Sequence, residues 1–169
     1  MNSLPILVVM GVSGSGKTTV GEALAVKLGV PFQDADSLHP ASNVAKMVSG
    51  HALTDDDRIP WLALVGAELS AARGSGLVMA CSALKRSYRA AILAVASDVH
   101  FIYLAGSREL LNSRVQHRQG HFMPASLLES QLATLESLDI DEPGITVSLD
   151  AFPTLPALVT QIAASLCAA

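Results

Sequence analysis

The sequence has few cysteines, few aromatic residues and no excess of positive charge, and each shortage excludes a class of protein. Two cysteines in 169 residues, Cys81 and Cys167, cannot build a disulfide framework, and their separation is not that of a metal site. Only 4% of the residues are aromatic, too few to suggest stacking platforms for single-stranded nucleic acid. The formal net charge is -4, whereas a nucleic-acid binder normally carries a basic stripe. We therefore expect a protein of a reducing compartment that does not bind nucleic acid.

Long uninterrupted apolar segments are also missing. The apolar residues 4–12 have no basic region before them, so they do not resemble a signal peptide. Two prolines and several polar residues interrupt residues 151–169, which predicts an amphipathic terminal helix that does not span a membrane. Because no targeting signal is visible, we expect a cytoplasmic protein. Half of the residues are hydrophobic and 15% are charged, which excludes intrinsic disorder, and 169 residues fit one domain.

The most informative segment is the glycine-rich stretch at residues 11–18, which follows an apolar run at residues 5–10. It matches the G-x-x-x-x-G-K-[ST] phosphate loop, with a buried-strand pattern before it and a helical pattern after it. Glycines let the backbone approach a phosphate closely, and successive N–H groups at a helix start bind anions. Lys17 is predicted to reach the β- and γ-phosphates of ATP, and the Thr18 hydroxyl to bind Mg²⁺. The predicted nucleotide-binding residues of this segment are Gly11, Val12, Ser13, Gly14, Ser15, Gly16, Lys17, Thr18 and Thr19.

Strand and helix patterns alternate along the whole chain. Strands are predicted at residues 5–10, 30–34, 77–81, 99–104 and 145–149. Helices are predicted at residues 18–28, 40–49, 54–74, about 85–96, 108–118, 124–138 and from about 155. This alternation predicts an α/β fold with a mostly parallel sheet and right-handed crossovers. Ligands of such sheets bind beyond the carboxyl ends of the strands, where the phosphate loop, Asp34, Asp36, Ser82 and Lys85 would meet.

Two carboxylates, Asp34 and Asp36, follow the second predicted strand. On an extended segment, side chains two residues apart point the same way. One of the two can hold Mg²⁺ while the other orients and deprotonates an attacking hydroxyl, which is the base that phosphoryl transfer requires. A solvated acidic turn is the alternative.

Basic residues occur at three further places. Arg114 and Arg118 share a helix face before Gly120, which suits a lid that closes over ATP, although a solvated helix end would look the same. Lys85 and Arg89 also share a predicted helix face and, with Arg58, are candidates for binding an anionic acceptor. His39 and Asn43 could form hydrogen bonds with the hydroxyl groups of a polyol. Spacing alone does not name the acceptor.

Seven motifs together resemble the small bacterial-type gluconokinases and run through most of the chain in that family's order. They are the phosphate loop, Asp34-Ala-Asp-Ser-Leu-His-Pro40, Lys46-Met47 with Ser49-Gly50, Leu53-Thr-Asp-Asp-Asp-Arg58 with Pro60-Trp61, Ala80-Cys-Ser-Ala-Leu-Lys85 with Tyr88-Arg89, Phe101-Ile-Tyr-Leu104, and Gly120-His-Phe122. The resemblance implies transfer of the ATP γ-phosphate to the 6-hydroxyl of D-gluconate with Mg²⁺, giving 6-phospho-D-gluconate and ADP.

The resemblance also implies a fold and an assembly. The fold is that of P-loop kinases related to shikimate and nucleoside-monophosphate kinases: one domain over residues 1–169 with a five-stranded parallel sheet flanked by helices. A helical substrate-binding region is expected at about residues 37–73 and a lid at about 114–126. The protein is often a homodimer in this family.

Individual roles are implied by the same resemblance. Asp36 is the better candidate for the base and Asp34 for the Mg²⁺ partner. Arg58 is implied as a substrate-binding arginine, Arg118 as the catalytic lid arginine, and His121 as a further substrate contact. The third strand departs from an ordinary Walker B motif, because Ala80-Cys81-Ser82 stands where an acidic residue is usual.

Two other functions stay open. Shikimate kinase is the first alternative, since shikimate is also a hydroxylated carboxylate, although the His39-Pro40 and Cys81–Lys85 motifs favour gluconate. A nucleotide-binding regulator without turnover would need the phosphate loop, but it would not need paired aspartates and a lid arginine.

Overall fold

The computed structural model describes residues 4–117 and 125–168. All five predicted strands are present: β1 (Ile6–Met10), β2 (Phe32–Asp34), β3 (Leu77–Ala80), β4 (His100–Ala105) and β5 (Gly144–Ser148). They form one parallel sheet in the order β2-β3-β1-β4-β5. The prediction of a parallel α/β fold is therefore confirmed.

The helices of the described residues follow the predicted pattern closely. They are α1 (Lys17–Leu28), α2 (Ala41–Val48), α3 (Asp55–Ala71), α4 (Arg86–Val95), α5 (Arg108–Gln116), α6 (Ala125–Thr134) and α7 (Leu155–Ala168). Helix α6 ends four residues before the predicted limit of 138. The reason is that the backbone N–H of Glu136 donates to the Leu84 carbonyl at 2.8 Å, so the helical hydrogen-bond pattern is broken there.

The central strand β1 is buried on both faces, with every side chain at most 4% exposed. Because side chains alternate along a strand, Ile6, Val8 and Met10 enter one core and Leu7 and Val9 enter the other. Helices α3 and α4 cover the sheet on the side of the first core, whereas α1 and α7 contribute to the second. This three-layer arrangement explains why β1 is continuously apolar.

The N-terminus of α3 is held by a capping box. The Thr54 hydroxyl accepts a hydrogen bond from the Asp57 N–H at 3.2 Å, and the Asp57 carboxylate accepts from the Thr54 N–H at 2.9 Å. Lys46 of α2 also pairs with Asp57, at 2.7 Å. Three consecutive aspartates, residues 55–57, open this helix, and at least the carboxylate of Asp57 is therefore structural, as is typical of helix starts.

Within residues 4–117 and 125–168, no helix has the length and apolar character needed to cross a membrane.

Candidate active site

The segment after β1 forms a phosphate loop that enters α1. Gly14 and Gly16 have φ values of +83° and +88°, a left-handed conformation that favours glycine. A Cβ on Gly14 would lie 2.8 Å from Cγ2 of Val115, so a larger residue would also collide with α5. The Nζ atom of Lys17 lies 3.1 Å from the Val12 carbonyl oxygen, which holds the ammonium group across the loop. The arrangement is that of an anion-binding cradle at a helix N-terminus.

A cavity of about 530 Å³ opens above this loop. Its walls come from the loop, from the ends of β2 and β3, and from helices α5 and α6. The lining residues are Ser13, Gly14, Gly16, Lys17, Thr18, Thr19, Asp34, Asp36, Ala80, Cys81, Ser82, Arg114 and Gln131. We call it the phosphate cavity. Most of the predicted nucleotide-binding residues therefore lie around one space.

Asp34 and Asp36 both line the phosphate cavity, but not for the expected reason. Asp34 ends β2, and Asp36 already belongs to a short 3₁₀ helix at residues 35–38, so the two are not on one extended segment. Asp34 instead caps this turn, accepting the Asp36 N–H at 3.0 Å. Its other oxygen accepts the Thr18 hydroxyl at 3.2 Å, which links the two predicted metal ligands.

The surroundings of Asp36 change its readiness to bind a proton. Burial, and secondly the charge of Asp34, raise the pKa of Asp36 above its ordinary value. A carboxylate with a raised pKa accepts a proton more readily, which suits a general base.

A second cavity of about 820 Å³ adjoins the first, and we call it the acceptor cavity. His39 forms part of its wall and stacks on Trp61 with ring centroids 4.2 Å apart. Trp61 is in turn fixed by its indole N–H, which donates to the Ala35 carbonyl at 2.8 Å. Arg58 also lines this cavity, where its guanidinium lies 5.7 Å from the centre of the Tyr88 ring.

Only three residues line both cavities: Asp36, Ser82 and Gln131, among the residues that the structure describes. They form the shared wall across which a group could pass between a nucleotide and an acceptor. The carboxylate of Asp36 therefore faces both cavities.

The structure corrects the assignment of Arg89 to substrate binding. Its side chain is 0% exposed and forms a two-point ion pair with Glu142, at 2.6 and 2.8 Å. The remaining guanidinium N–H groups donate to backbone carbonyls of four residues: Ala83, Leu84, Glu136 and Ser137. Arg89 thus holds the loop after β3 and has no donor left for a ligand.

The predicted clamp of Lys85 with Arg89 is therefore wrong. Lys85 precedes α4, lines neither cavity, and pairs with Asp55 at 2.9 Å. Asn43 lines neither cavity either: it is 3% exposed, donates to the Asp57 carbonyl at 2.9 Å, and lies 3.3 Å from Nδ1 of His39. Its visible role is to hold His39 in position.

The predicted lid residues divide into two groups. Arg114 lines the phosphate cavity, and its guanidinium donates to the Ser15 carbonyl at 3.3 Å. Arg118 and His121 lie outside the described residues.

Sequence reasoning missed Gln131, Trp61 and Tyr88 as residues of the site. Trp61 and Tyr88 stood inside the quoted motifs, but helical spacing assigns such side chains to a core. Gln131 had a weak signal, because it is a polar residue one turn after Leu128 on the apolar face of its helix.

The oxygen atoms near the phosphate loop fit a magnesium ion. Mg²⁺ is usually bound by one or two protein oxygens together with phosphates and water. Thr18 and Asp34 offer such a pair, with a hydroxyl and a carboxylate oxygen 3.2 Å apart. Among the described residues there is no group of three or more His, Cys, Asp or Glu side chains arranged to hold a metal. The described residues therefore do not form a metal site built from three or more such side chains.

Comparison with known proteins identifies the family of this chain. Residues 6–138 match the protein family described as "AAA domain". Gluconokinase of Gluconobacter oxydans (strain 621H) is 54% identical over 149 residues, which cover 87% of this chain and 84% of that protein.

Solved structures also include a similar gluconokinase. The crystal structure of a gluconokinase from Sinorhizobium meliloti 1021 has 46% sequence identity and a TM-score of 0.86, and the match covers 97% of this chain and 92% of that one. Shikimate kinase from Aquifex aeolicus, at 18% identity and a TM-score of 0.58, covers 95% of this chain and 94% of its own and shares the fold. With these identities over most of its length, the chain belongs to the gluconokinase family.

Proposed function

We propose that this protein is an ATP-dependent gluconokinase. It transfers the γ-phosphoryl group of ATP to the 6-hydroxyl of D-gluconate and produces 6-phospho-D-gluconate and ADP. The observation that carries the proposal is the shared wall between the phosphate cavity and the acceptor cavity, with Asp36 in it. Family membership supplies the identity of the acceptor.

The phosphate cavity is the proposed site of ATP. The loop N–H groups and Lys17 bind the β- and γ-phosphates, and Arg114 adds positive charge from α5. Mg²⁺, held by Thr18 and Asp34, would neutralise phosphate charge. Phosphoryl transfer depends mainly on such positioning and charge neutralisation, which is the chemistry that these residues offer.

The acceptor cavity is the proposed site of D-gluconate. Arg58 lines it and is our candidate for the sugar-acid carboxylate, since a guanidinium matches a carboxylate in shape and charge. His39 is the candidate for hydrogen bonds to the hydroxyl groups. Burial lowers the pKa of His39, which favours the neutral ring, and a neutral imidazole can both accept and donate a hydrogen bond.

Asp36 is the proposed base. It lies between the two cavities, and in its ionised form it can accept the proton of the attacking hydroxyl as the new P–O bond forms. The proton leaves the hydroxyl, the bond from the γ-phosphorus to the β,γ-bridging oxygen breaks, and ADP is the leaving group.

The experiment is coupled ADP release with Mg-ATP and D-gluconate, run beside shikimate, AMP and no acceptor. We expect turnover with gluconate only. Activity with shikimate or AMP instead would overturn the acceptor while keeping the ATP site. Nucleotide binding without turnover on any of these would favour the regulatory alternative.

The proposed substrate arginine has a matched control. Arg58→Met should raise the KM for gluconate by about 10- to 100-fold, the range expected for loss of a charged hydrogen bond, with little change in the KM for ATP. Arg73→Met removes an exposed arginine that pairs with Asp98 and should leave both constants unchanged. Equal effects of the two variants would remove Arg58 from the substrate site.

Three further statements remain proposals. We propose that residues 37–73 form the substrate-binding region and residues 114–126 the lid, with Arg118 and His121 acting from it. We propose a homodimer, to be tested by light scattering after size exclusion. We also propose a cytoplasmic location, to be tested by fractionation.

A further inference from the structure

Gln131 makes the only hydrogen bond from a side chain of α6 to the phosphate loop, among the described residues. Its Oε1 atom accepts the backbone N–H of Ser13 at 2.7 Å. A backbone N–H can only donate, so the atom that faces it must be the carboxamide oxygen. The NH₂ group of Gln131 is therefore turned away from Ser13 with two N–H donors.

Helix α6 holds this side chain firmly. Leu128, one turn before Gln131, is 0% exposed, and Leu132 packs against the same core. Beyond the helix end, the Glu136 carboxylate accepts the Arg86 N–H at 2.6 Å, and the Glu136 N–H donates to Leu84. The part of α6 that carries Gln131 is thus held by the packing of its leucines and by the hydrogen bonds of Glu136 beyond its end.

The position of Gln131 is the junction of the two cavities. It lines both, together with Asp36 and Ser82. Within the described residues, its amide nitrogen has no protein acceptor, although the carboxamide oxygen is engaged. Two donors therefore stand free at the boundary between the nucleotide and the acceptor.

We propose that the Gln131 carboxamide donates a hydrogen bond to the γ-phosphoryl group of ATP and positions it for transfer. The Ser13 N–H orients the amide, and the amide nitrogen then contacts a phosphoryl oxygen next to Asp36. This inference rests on the proposed function only in taking ATP as the bound nucleotide. A residue with this role distinguishes a nucleotide that has a γ-phosphate from one that lacks it.

The test measures binding and needs no acceptor. Calorimetry would give the affinities of Gln131→Leu and Gln131→Glu for AMPPNP and for ADP, both with Mg²⁺. Leucine has a similar size but removes both donors and also the oxygen that accepts the Ser13 N–H. Glutamate keeps an oxygen acceptor but replaces the donors with a charge that repels phosphate. We expect AMPPNP to bind about tenfold more weakly to the leucine variant and still more weakly to the glutamate variant, with ADP within twofold of the parent protein.

Gln161→Leu is the matched control. Gln161 lies on the exposed face of α7, where its amide donates to Ser165, and its replacement should change neither affinity. Thermal melting of every variant checks that the fold is kept.

Three results would overturn the proposal. Unchanged AMPPNP affinity would show that Gln131 does not contact the γ-phosphate. A parallel loss for AMPPNP and ADP would show a general effect on the loop, and tighter AMPPNP binding would show that Gln131 competes with phosphate for Ser13. Failure of the parent protein to bind either nucleotide would instead refute the proposed function.

Discussion

Replacing Arg89 with methionine should destabilise the protein strongly, although Arg89 touches neither cavity. The side chain is 0% exposed, and its partner Glu142 is 5% exposed at the side chain. Removing one partner of a buried ion pair leaves the other charge uncompensated, which typically costs about 3–5 kcal/mol of unfolding free energy. Methionine replaces the apolar stem of the arginine, so most of the packing of that stem is kept.

The backbone around Arg89 adds to this effect. Four carbonyl groups, those of Ala83, Leu84, Glu136 and Ser137, accept from its guanidinium. Ala83 has a φ of +43°, the sole left-handed non-glycine backbone among the described residues, and it lies within the loop that Arg89 holds. Loss of these bonds should loosen the loop after β3 and strengthen the expected destabilisation.

Urea unfolding followed by circular dichroism measures the change, with Arg73→Met as the matched control. The Arg73 side chain is 53% exposed and pairs with Asp98, so its replacement should change stability by less than about 1 kcal/mol. The double variant Arg89→Met/Glu142→Leu should recover part of the loss because it removes the unpaired charge.

The effect should also depend on pH. Arg89 lowers the pKa of Glu142, so in the parent protein this pair stabilises the fold above the ordinary pKa of glutamate and loses its effect as the pH falls through the lowered value. In Arg89→Met the buried carboxyl group of Glu142 loses its partner and protonates more readily. The difference in unfolding free energy between the parent protein and this variant should therefore become smaller from pH 7 to pH 5. A loss below about 1 kcal/mol at pH 7, equal to that of Arg73→Met, would refute the reasoning.

The other predictions concern the proposed site directly. Lys17→Ala should reduce kcat/KM by about 10²-fold or more in the coupled assay, because the charge at the β- and γ-phosphates is lost; a mild effect would contradict its assignment. Asp36→Asn should lower kcat by about 10²- to 10⁴-fold while nucleotide affinity, measured by calorimetry, stays near that of the parent protein. Because the negative charge of Asp34 helps to raise the pKa of Asp36, Asp34→Asn should move the acidic limb of the kcat/KM profile to lower pH; an unmoved limb would remove Asp36 as the group that titrates. Gly14→Ala should weaken AMPPNP binding, because φ is +83° and its Cβ would lie 2.8 Å from Val115; normal binding would contradict the observed loop geometry.

Local pattern was enough to predict the phosphate loop. The glycines and Lys17 are consecutive in sequence, and their function depends on backbone conformations that glycine itself permits. The strands could be predicted equally well, because a parallel strand covered on both faces must be apolar throughout, as β1 is. The rule that strand ends meet at one edge then placed Asp34 and Ser82 beside the loop.

The same rules could not assign the charged and polar side chains of the helices. Spacing predicted that Lys85 and Arg89 share a face, but it does not say what lies opposite that face. Arg89 meets Glu142, 53 residues later in the chain, and Lys85 meets Asp55, 30 residues earlier. Burial and pairing at such separations depend on how α3, α4 and the segment before β5 pack together.

Sequence by itself therefore determined the fold, the phosphate loop and the family resemblance, since each depends on short-range pattern and ordered motifs. Tertiary structure alone decided which polar groups face the cavities. Gln131 reaches Ser13 across 118 residues, while Asn43 and Arg89 turn into the protein. The physical reason is that a polar side chain goes wherever packing offers it partners, and those partners are brought together only when the chain folds.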